Sequence, residues 1–189
     1  MKISISGTHS TGKSSFVQSI ASSLRGAGVS FGIVGDLAAK CPLAILRKQG
    51  IAGTIWITAT AIAKEVAASD SCEVVIVDRS VVDPWAYLHS ASTSPSKTTE
   101  YDALERIVES WVGTYDLMYK TVVEPNISIE NNGLRDLDPA YRAAVDASFS
   151  TAFQRFDLNP RYLAYSGINS ELRWLWNFFA EKGLVPPNL

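Results

Sequence analysis

Gly7-Thr8-His9-Ser10-Thr11-Gly12-Lys13-Ser14 is the stretch that decides the fold. It matches G-x-x-x-x-G-K-[ST], the spacing of a phosphate-binding loop. Such a loop wraps an anionic phosphate in backbone N–H groups. Its two glycines permit backbone angles and close approaches that a side chain would block. The helix expected next points its N-terminal dipole at the same phosphates. Lys13 brings a mobile positive charge to the β- and γ-phosphates, and Ser14 a hydroxyl for Mg²⁺. Gly7, Thr8, His9, Ser10, Thr11, Gly12, Lys13, Ser14 and the adjacent Ser15 are therefore the nucleotide-binding candidates. For His9 the backbone N–H matters more than the ring.

The flanks supply the context that the motif requires. Lys2–Ser6 is strand-like, and Phe16 or Val17, Ile20 and Leu24 recur at helical spacing after the loop. Further out, Ser30–Val34 reads as a strand that ends at Gly35-Asp36. Leu37–Gln49 is predicted helical around Pro42, with a break at Gly50, and Thr54–Ala68 is predicted as a buried helix. Glu73–Asp78 is a continuous apolar run closed by an acid, as expected of a central parallel strand covered on both faces. Ser90–Thr99, rich in Ser and Thr, reads as an exposed loop. Thr99–Val112 is an amphipathic helix with Tyr101, Leu104, Val108 and Trp111 on one face. Asp116–Val123 is a fourth strand, ending at Glu124-Pro125.

Asn131-Asn132-Gly133 signals a turn. Asp138-Pro139 supplies an N-cap and a first-turn proline for a long helix with an apolar stripe of Tyr141, Val145, Phe149, Phe153 and Phe156. Arg161–Tyr165 is a short fifth strand, and Ser170 is expected to cap the last helix. Strand and helix alternate throughout. The expected fold is α/β: three layers, with a five-stranded parallel sheet flanked by helices, in one domain over residues 1–189. Right-handed crossovers would bring Asp36, Asp78 and Glu124 to the rim that carries the loop.

Composition narrows the function classes. A chain of 189 residues fits one domain with a sizeable core. The formal net charge of −2 argues against a strongly electrostatic nucleic-acid binder. Cys41 and Cys72 form no C-x-x-C pair, so neither a zinc site nor a disulfide framework is indicated. Both read as small buried hydrophobes in a reducing, cytoplasmic setting. The start reads as a strand rather than a signal peptide. The longest apolar stretch, Ile51–Ala63, is closed by Lys64-Glu65 and reads as too short and too polar to span a membrane.

With these residues in view, the chain resembles the P-loop kinases of nucleosides and nucleotides. It is similar to the group holding thymidylate kinase, the deoxynucleoside kinases and nicotinamide riboside kinase, and to small AAA-type ATPase/kinase domains of bacteria and phages. The resemblance rests on the loop and on Asp78-Arg79-Ser80 followed by Asp83 and Tyr87. It implies ATP and Mg²⁺ as cofactors, with Ser14 and Asp78 at the metal. Asp36 would contact the acceptor hydroxyl as base, although that family usually places Glu there. Arg79 would hold substrate or phosphate beside it. Asp36, Arg79, Asp83 and Tyr87 would bind the acceptor. A lid at about 127–142 would carry Arg135, and more weakly Arg142, over ATP. Gly167-Ile168-Asn169 falls where such proteins line the adenine.

Each role has a plainer counterpart. Asp36 is either a base or an N-cap for Leu37 onward. Asp78 either orders a metal-bound water or contacts the acceptor, and so competes with Asp36 as base. Arg79 either reaches substrate or pairs with Asp83 in a solvated network. Trp85 and Tyr87 either stack on a base or pack, and His89 reads as a surface residue. The leading expectation is an ATP-dependent kinase with catalytic residues Lys13, Asp36, Arg79 and Arg135. Its acceptor would be nucleoside- or nucleotide-like. The alternatives are a kinase of hydroxymethylated pyrimidine in DNA, or an NTP-hydrolysing regulatory ATPase without acceptor. No membrane partner is expected, and a homodimer is compatible with this reading.

Overall fold

The computed structural model describes residues 1–43, 50–90, 98–125, 127 and 138–187. In chain order the elements are β1 (Lys2–Ser6), α1 (Lys13–Gly26), β2 (Phe31–Val34), α2 (Ile51–Ser71), β3 (Val74–Asp78), α3 (Val82–Ser90), α4 (Thr99–Val112), β4 (Leu117–Thr121), α5 (Pro139–Arg155), β5 (Arg161–Leu163) and α6 (Ile168–Glu181). The five strands form one sheet in the order β2-β3-β1-β4-β5, and every pairing is parallel. β1 lies at the centre, with Ile5 opposite Asp78 and Ser6 opposite Lys120. The phosphate loop thus leaves the middle of the carboxyl edge, where open α/β sheets bind ligands.

Strand periodicity splits the core between the two faces. Val74 and Ile76 pack with Ile3, Ile5 and the α1 stripe of Phe16, Ile20 and Leu24, closed by Leu175 and Phe179 of α6. Val75 and Val77 point to the opposite face. A second core there joins Trp85, Leu104, Val108, Phe149 and Phe153 from α3, α4 and α5. Burying a side chain of this size stabilises the fold by about 1.5–3 kcal/mol relative to leaving it exposed. α5 starts as expected: Pro139 occupies the first turn and the Asp138 carboxylate accepts the Ala140 N–H at 2.8 Å.

Several expectations need correcting. After Asp36 the described residues contain no α-helix before Gly50, only a single 3₁₀ turn at Ala38–Lys40. Residues 44–49 of the expected helix lie outside the described residues. α2 spans Ile51–Ser71 rather than the expected Thr54–Ala68, and only about a third of its apolar stretch is buried, so one face is exposed. By length and composition alone this one helix, among the described residues, could cross a membrane. Here it packs on β2, β3, α3 and α4. β5 ends at Leu163, and Gly167 rather than Ser170 is the N-cap of α6; the Ser170 hydroxyl instead donates to Gly167 O at 2.7 Å.

His89 is half-buried rather than free on the surface. Its ring stacks on Trp85 at 3.5 Å, and its Nε2 lies 2.8 Å from the Tyr101 hydroxyl. Trp85 is 2% exposed and packs within the core, so it offers no face to a base. The Ser/Thr-rich loop between α3 and α4, the Asn131-Asn132-Gly133 turn, Arg135 and most of the expected lid lie outside the described residues.

Candidate active site

The loop's shape follows from its glycines and from the strand beside it. Gly7 sits at φ +139°, and a Cβ there would fall 2.2 Å from Thr121 Oγ1. Gly12, at φ +84°, faces Tyr165, whose Cδ2 would lie 2.4 Å from an added Cβ. Neither position accepts a side chain. Ser10 takes a left-handed φ of 55° without being glycine, a conformation that L side chains adopt at a cost. Thr11 Oγ1 donates to Thr8 O at 2.9 Å and lies 2.6 Å from Thr121 Oγ1, which ties the loop to the end of β4. His9 is buried and its ring stacks against Tyr141.

Lys13 is 6% exposed and folds over the loop, donating to Thr8 O and, at 3.5 Å, to Thr11 Oγ1. Burial strips the ammonium of water and the nearby Arg79 adds a like charge. Together they bring the Lys13 pKa down to about 7 despite the opposing pull of Asp83, Asp78 and Asp36.

The rim residues converge on this loop from across the sequence. Ser14, in the first turn of α1, and Asp78, closing β3, meet with the hydroxyl 3.4 Å from Oδ2. Asp78 is pushed above its ordinary pKa by burial, although Arg79 and Lys13 pull it down. Arg79 follows at φ 79°, a positive angle that costs a non-glycine residue about 1–3 kcal/mol and is typical of functional sites. That turn aims the guanidinium along the rim. Nε donates to Asp36 Oδ2 at 2.6 Å, while Nη1 donates to Tyr87 Oη at 3.3 Å and to Gly7 O at 3.5 Å. Burial opposes the charge on Arg79, but Tyr87, Asp36, Asp83 and Asp78 hold it protonated well above its ordinary range.

Asp36 is engaged through both carboxylate oxygens. Oδ1 accepts the Ala38 N–H at 2.9 Å at the start of the short turn, whose N-cap residue is Leu37 rather than Asp36, while Oδ2 takes Arg79. Burial raises its pKa, yet Arg79 and the Ala38 N–H outweigh burial, so the carboxyl sits below its ordinary value. Asp83 lies deeper, 1% exposed: Oδ1 accepts Gly7 N–H at 3.1 Å, and Oδ2 accepts the Ser80 hydroxyl at 3.2 Å. Its pairing with Arg79, at 3.7 Å, is buried on the carboxylate side rather than part of a solvated network. Glu124, on the same rim, accepts from Ser166 at the foot of α6.

Three residues at the site were not read from sequence in these positions. Thr121 closes β4 against Gly7, and Tyr165 packs on Gly12. Arg142 of α5 is 6% exposed and donates through Nη2 to Ser10 O at 2.9 Å and through Nη1 to Ile127 O at 3.2 Å. Thr121 had a signal, since it is a polar residue ending a buried strand at the rim. Arg142 read as an arm over ATP; here its two hydrogen bonds run to the backbone carbonyls of Ser10 and Ile127.

The residues present suit Mg²⁺. A hydroxyl and a carboxylate side by side are hard oxygen donors of the kind it takes. Among the described residues no group of three His, Cys, Asp or Glu side chains is arranged to hold a metal ion, and a cation held largely by phosphates and water needs only one or two protein ligands.

The fold is that of the P-loop nucleoside and nucleotide kinases. A family model described as "AAA domain" matches residues 2–165, and the chain belongs to that family. Among solved structures it is similar to deoxyadenosine kinase from M. mycoides with dCMP and a flexible dCDP bound, at 16% identity and TM-score 0.66, covering 96% of this chain and 100% of that one. It is similar as well to thymidylate kinase from Candida albicans, at 14% identity and TM-score 0.64, covering 96% of this chain and 92% of that one. No curated protein sequence matches it.

Proposed function

We propose that the chain is an ATP- and Mg²⁺-dependent kinase that moves the γ-phosphoryl group to a nucleoside- or nucleotide-like acceptor. One observation carries the reading. The Arg79 guanidinium bridges the carboxylate of Asp36 and the carbonyl of Gly7, and so sets an acid–arginine pair beside a phosphate grip. The dCMP- and dCDP-bound kinase of the same fold supports it.

Phosphoryl transfer asks the protein mainly for placement and charge neutralisation. The loop N–H groups and Lys13 hold the β- and γ-phosphates. Ser14 and Asp78 hold Mg²⁺ directly or through water, and the metal when bound neutralises charge developing on the phosphates. Asp36, kept ionised by Arg79, accepts the acceptor hydroxyl proton as the new O–P bond forms. The bond from the γ-phosphorus to the β-γ bridging oxygen breaks, and ADP leaves with that oxygen. Arg79 and Tyr87 orient the acceptor. Asp83 holds Gly7 and Arg79 in place through its carboxylate.

The test is ADP release from ATP and Mg²⁺ with a panel of nucleosides, nucleotides and hydroxymethylated DNA. Turnover that depends on an acceptor is expected, and the acceptor that works separates free nucleotides from DNA. Asp36→Asn should cut acceptor-dependent turnover by about 10²–10⁴-fold while sparing ATP binding. Equal ADP release with and without every acceptor would assign an NTP-hydrolysing switch instead.

A further inference from the structure

Ser10 is a non-glycine residue at left-handed φ 55° in the loop that wraps phosphate. Something must keep it there, because a serine free to relax returns to negative φ. The carbonyl of that same residue accepts the Nη2–H of Arg142 at 2.9 Å. The other arm of the guanidinium holds Ile127 O at 3.2 Å, so both arms end on backbone carbonyls. The residue is 6% exposed.

α5 is itself pinned close by. One turn further on, Asp146 pairs with Lys120 of β4 at 2.6 Å, and Lys120 also donates to Thr121 O at 2.6 Å. Asp138 and Pro139 fix the start of the helix. Arg142 therefore projects from a rigid base onto the carbonyl whose direction defines the loop's turn.

We propose that Arg142 is a positioning residue for nucleotide binding: it holds Ser10 in the left-handed conformation and so keeps the following N–H groups aimed at phosphate. It acts through Ser10 and does not touch the transferring group. Only the part of the test that uses nucleotide affinity rests on the kinase reading.

Glycine takes positive φ without a hold, so Ser10→Gly should make Arg142 dispensable. In the ligand-free protein, the backbone amide NMR shifts of Thr11, Gly12 and Lys13 should move in Arg142→Ala and return in Arg142→Ala/Ser10→Gly. ADP affinity should fall about 10- to 100-fold in Arg142→Ala, the range for losing a hydrogen bond from a charged donor. In the double variant it should recover to within about threefold of Ser10→Gly alone, since a residue without a hold to lose cannot couple to it. An anchor for α5 alone, or an arm on the γ-phosphate, would not be rescued by a glycine at position 10. Unmoved amide shifts in Arg142→Ala, or moved shifts that the glycine fails to restore, overturn the proposal. Should Arg142→Ala not fold, Arg142→Lys with and without Ser10→Gly is read in the same way. A wild-type chain that binds no ADP would sink the kinase reading, while the amide shifts would still decide this one.

Discussion

Nucleotide binding should take up a proton, and the source is Lys13. In the free protein burial and Arg79 bring its pKa to about 7, against an ordinary 10.5. A bound phosphate chain places several negative charges beside the ammonium and favours its charged form. At pH 8.5 the free protein therefore holds a neutral Lys13 and the complex a charged one. Nearly one proton should enter per nucleotide bound at pH 8.5, and less as the pH falls towards 7. If only the charged lysine binds well, the affinity for ADP falls about a hundredfold between pH 6 and 9. The assay is titration calorimetry in two buffers of different ionisation enthalpy, which counts protons directly. ADP phosphates are fully ionised at pH 8.5, so the uptake belongs to the protein. Lys13→Met should bind weakly with no uptake. The same group makes the ligand-free fold more stable as pH rises from about 7 towards 10.5, because in that range the unfolded chain binds the proton that the native state has shed. Zero proton uptake at pH 8.5 with wild-type affinity would refute the reasoning.

Three further outcomes follow from packing. Gly7→Ala combines a disallowed φ of +139° with a Cβ 2.2 Å from Thr121 Oγ1, and should abolish detectable nucleotide binding in a fluorescent-ADP titration; an alanine variant that binds normally would refute the loop geometry. Glu65, fully buried, accepts from Trp111 Nε1 at 2.7 Å and Tyr115 Oη at 3.1 Å and pairs with Lys2 at 3.1 Å. Glu65→Ala leaves that cation and two donors stranded and should cost about 3–5 kcal/mol in urea unfolding, against which a loss under about 1 kcal/mol would count. Tyr101→Phe removes the hydroxyl that sits between His89 Nε2 and Glu105 Oε1, at 2.8 and 3.0 Å. It should lower stability by about 1–3 kcal/mol, and an unchanged urea midpoint would show that this chain of contacts carries no weight.

What could be read in advance was local or topological. The phosphate loop is a spacing within eight residues, and β3 is a run of apolar residues closed by Asp78. The crossover rule then carries Asp36 and Asp78 to one edge, where Ser14 meets one and Arg79 the other. Partnership between distant side chains was not legible. Lys64-Glu65 reads as the charged end of an apolar stretch, and nothing in the expected helix over Thr54–Ala68 marks Glu65 as buried. Yet Glu65 is buried because Lys2, Trp111 and Tyr115 arrive from other elements to satisfy it, and α2 continues to Ser71. A buried carboxylate and an exposed one are the same letter until their donors are placed.

The site shows the same division between residue type and residue geometry. Acid, arginine, lysine and hydroxyl were all readable as types at the rim. Their assignment depends on backbone angles that no pattern announces: φ 79° at Arg79 turns its guanidinium to Asp36, and φ 55° at Ser10 presents a carbonyl to Arg142, 132 residues away in sequence. Both are non-glycine residues in conformations that side chains disfavour, and each takes part in a hydrogen bond with a charged partner. A third such residue, Asp157 at φ 51°, sits in the local turn that ends α5, so positive φ alone does not mark a site; its place beside the loop does. In this fold two such residues flank the phosphate grip, one on the acceptor side and one under the loop. The two arginines that meet them, Arg79 through its own turn and Arg142 through the Ser10 carbonyl, contact the loop's backbone, whereas the family resemblance implied an arginine arm over ATP.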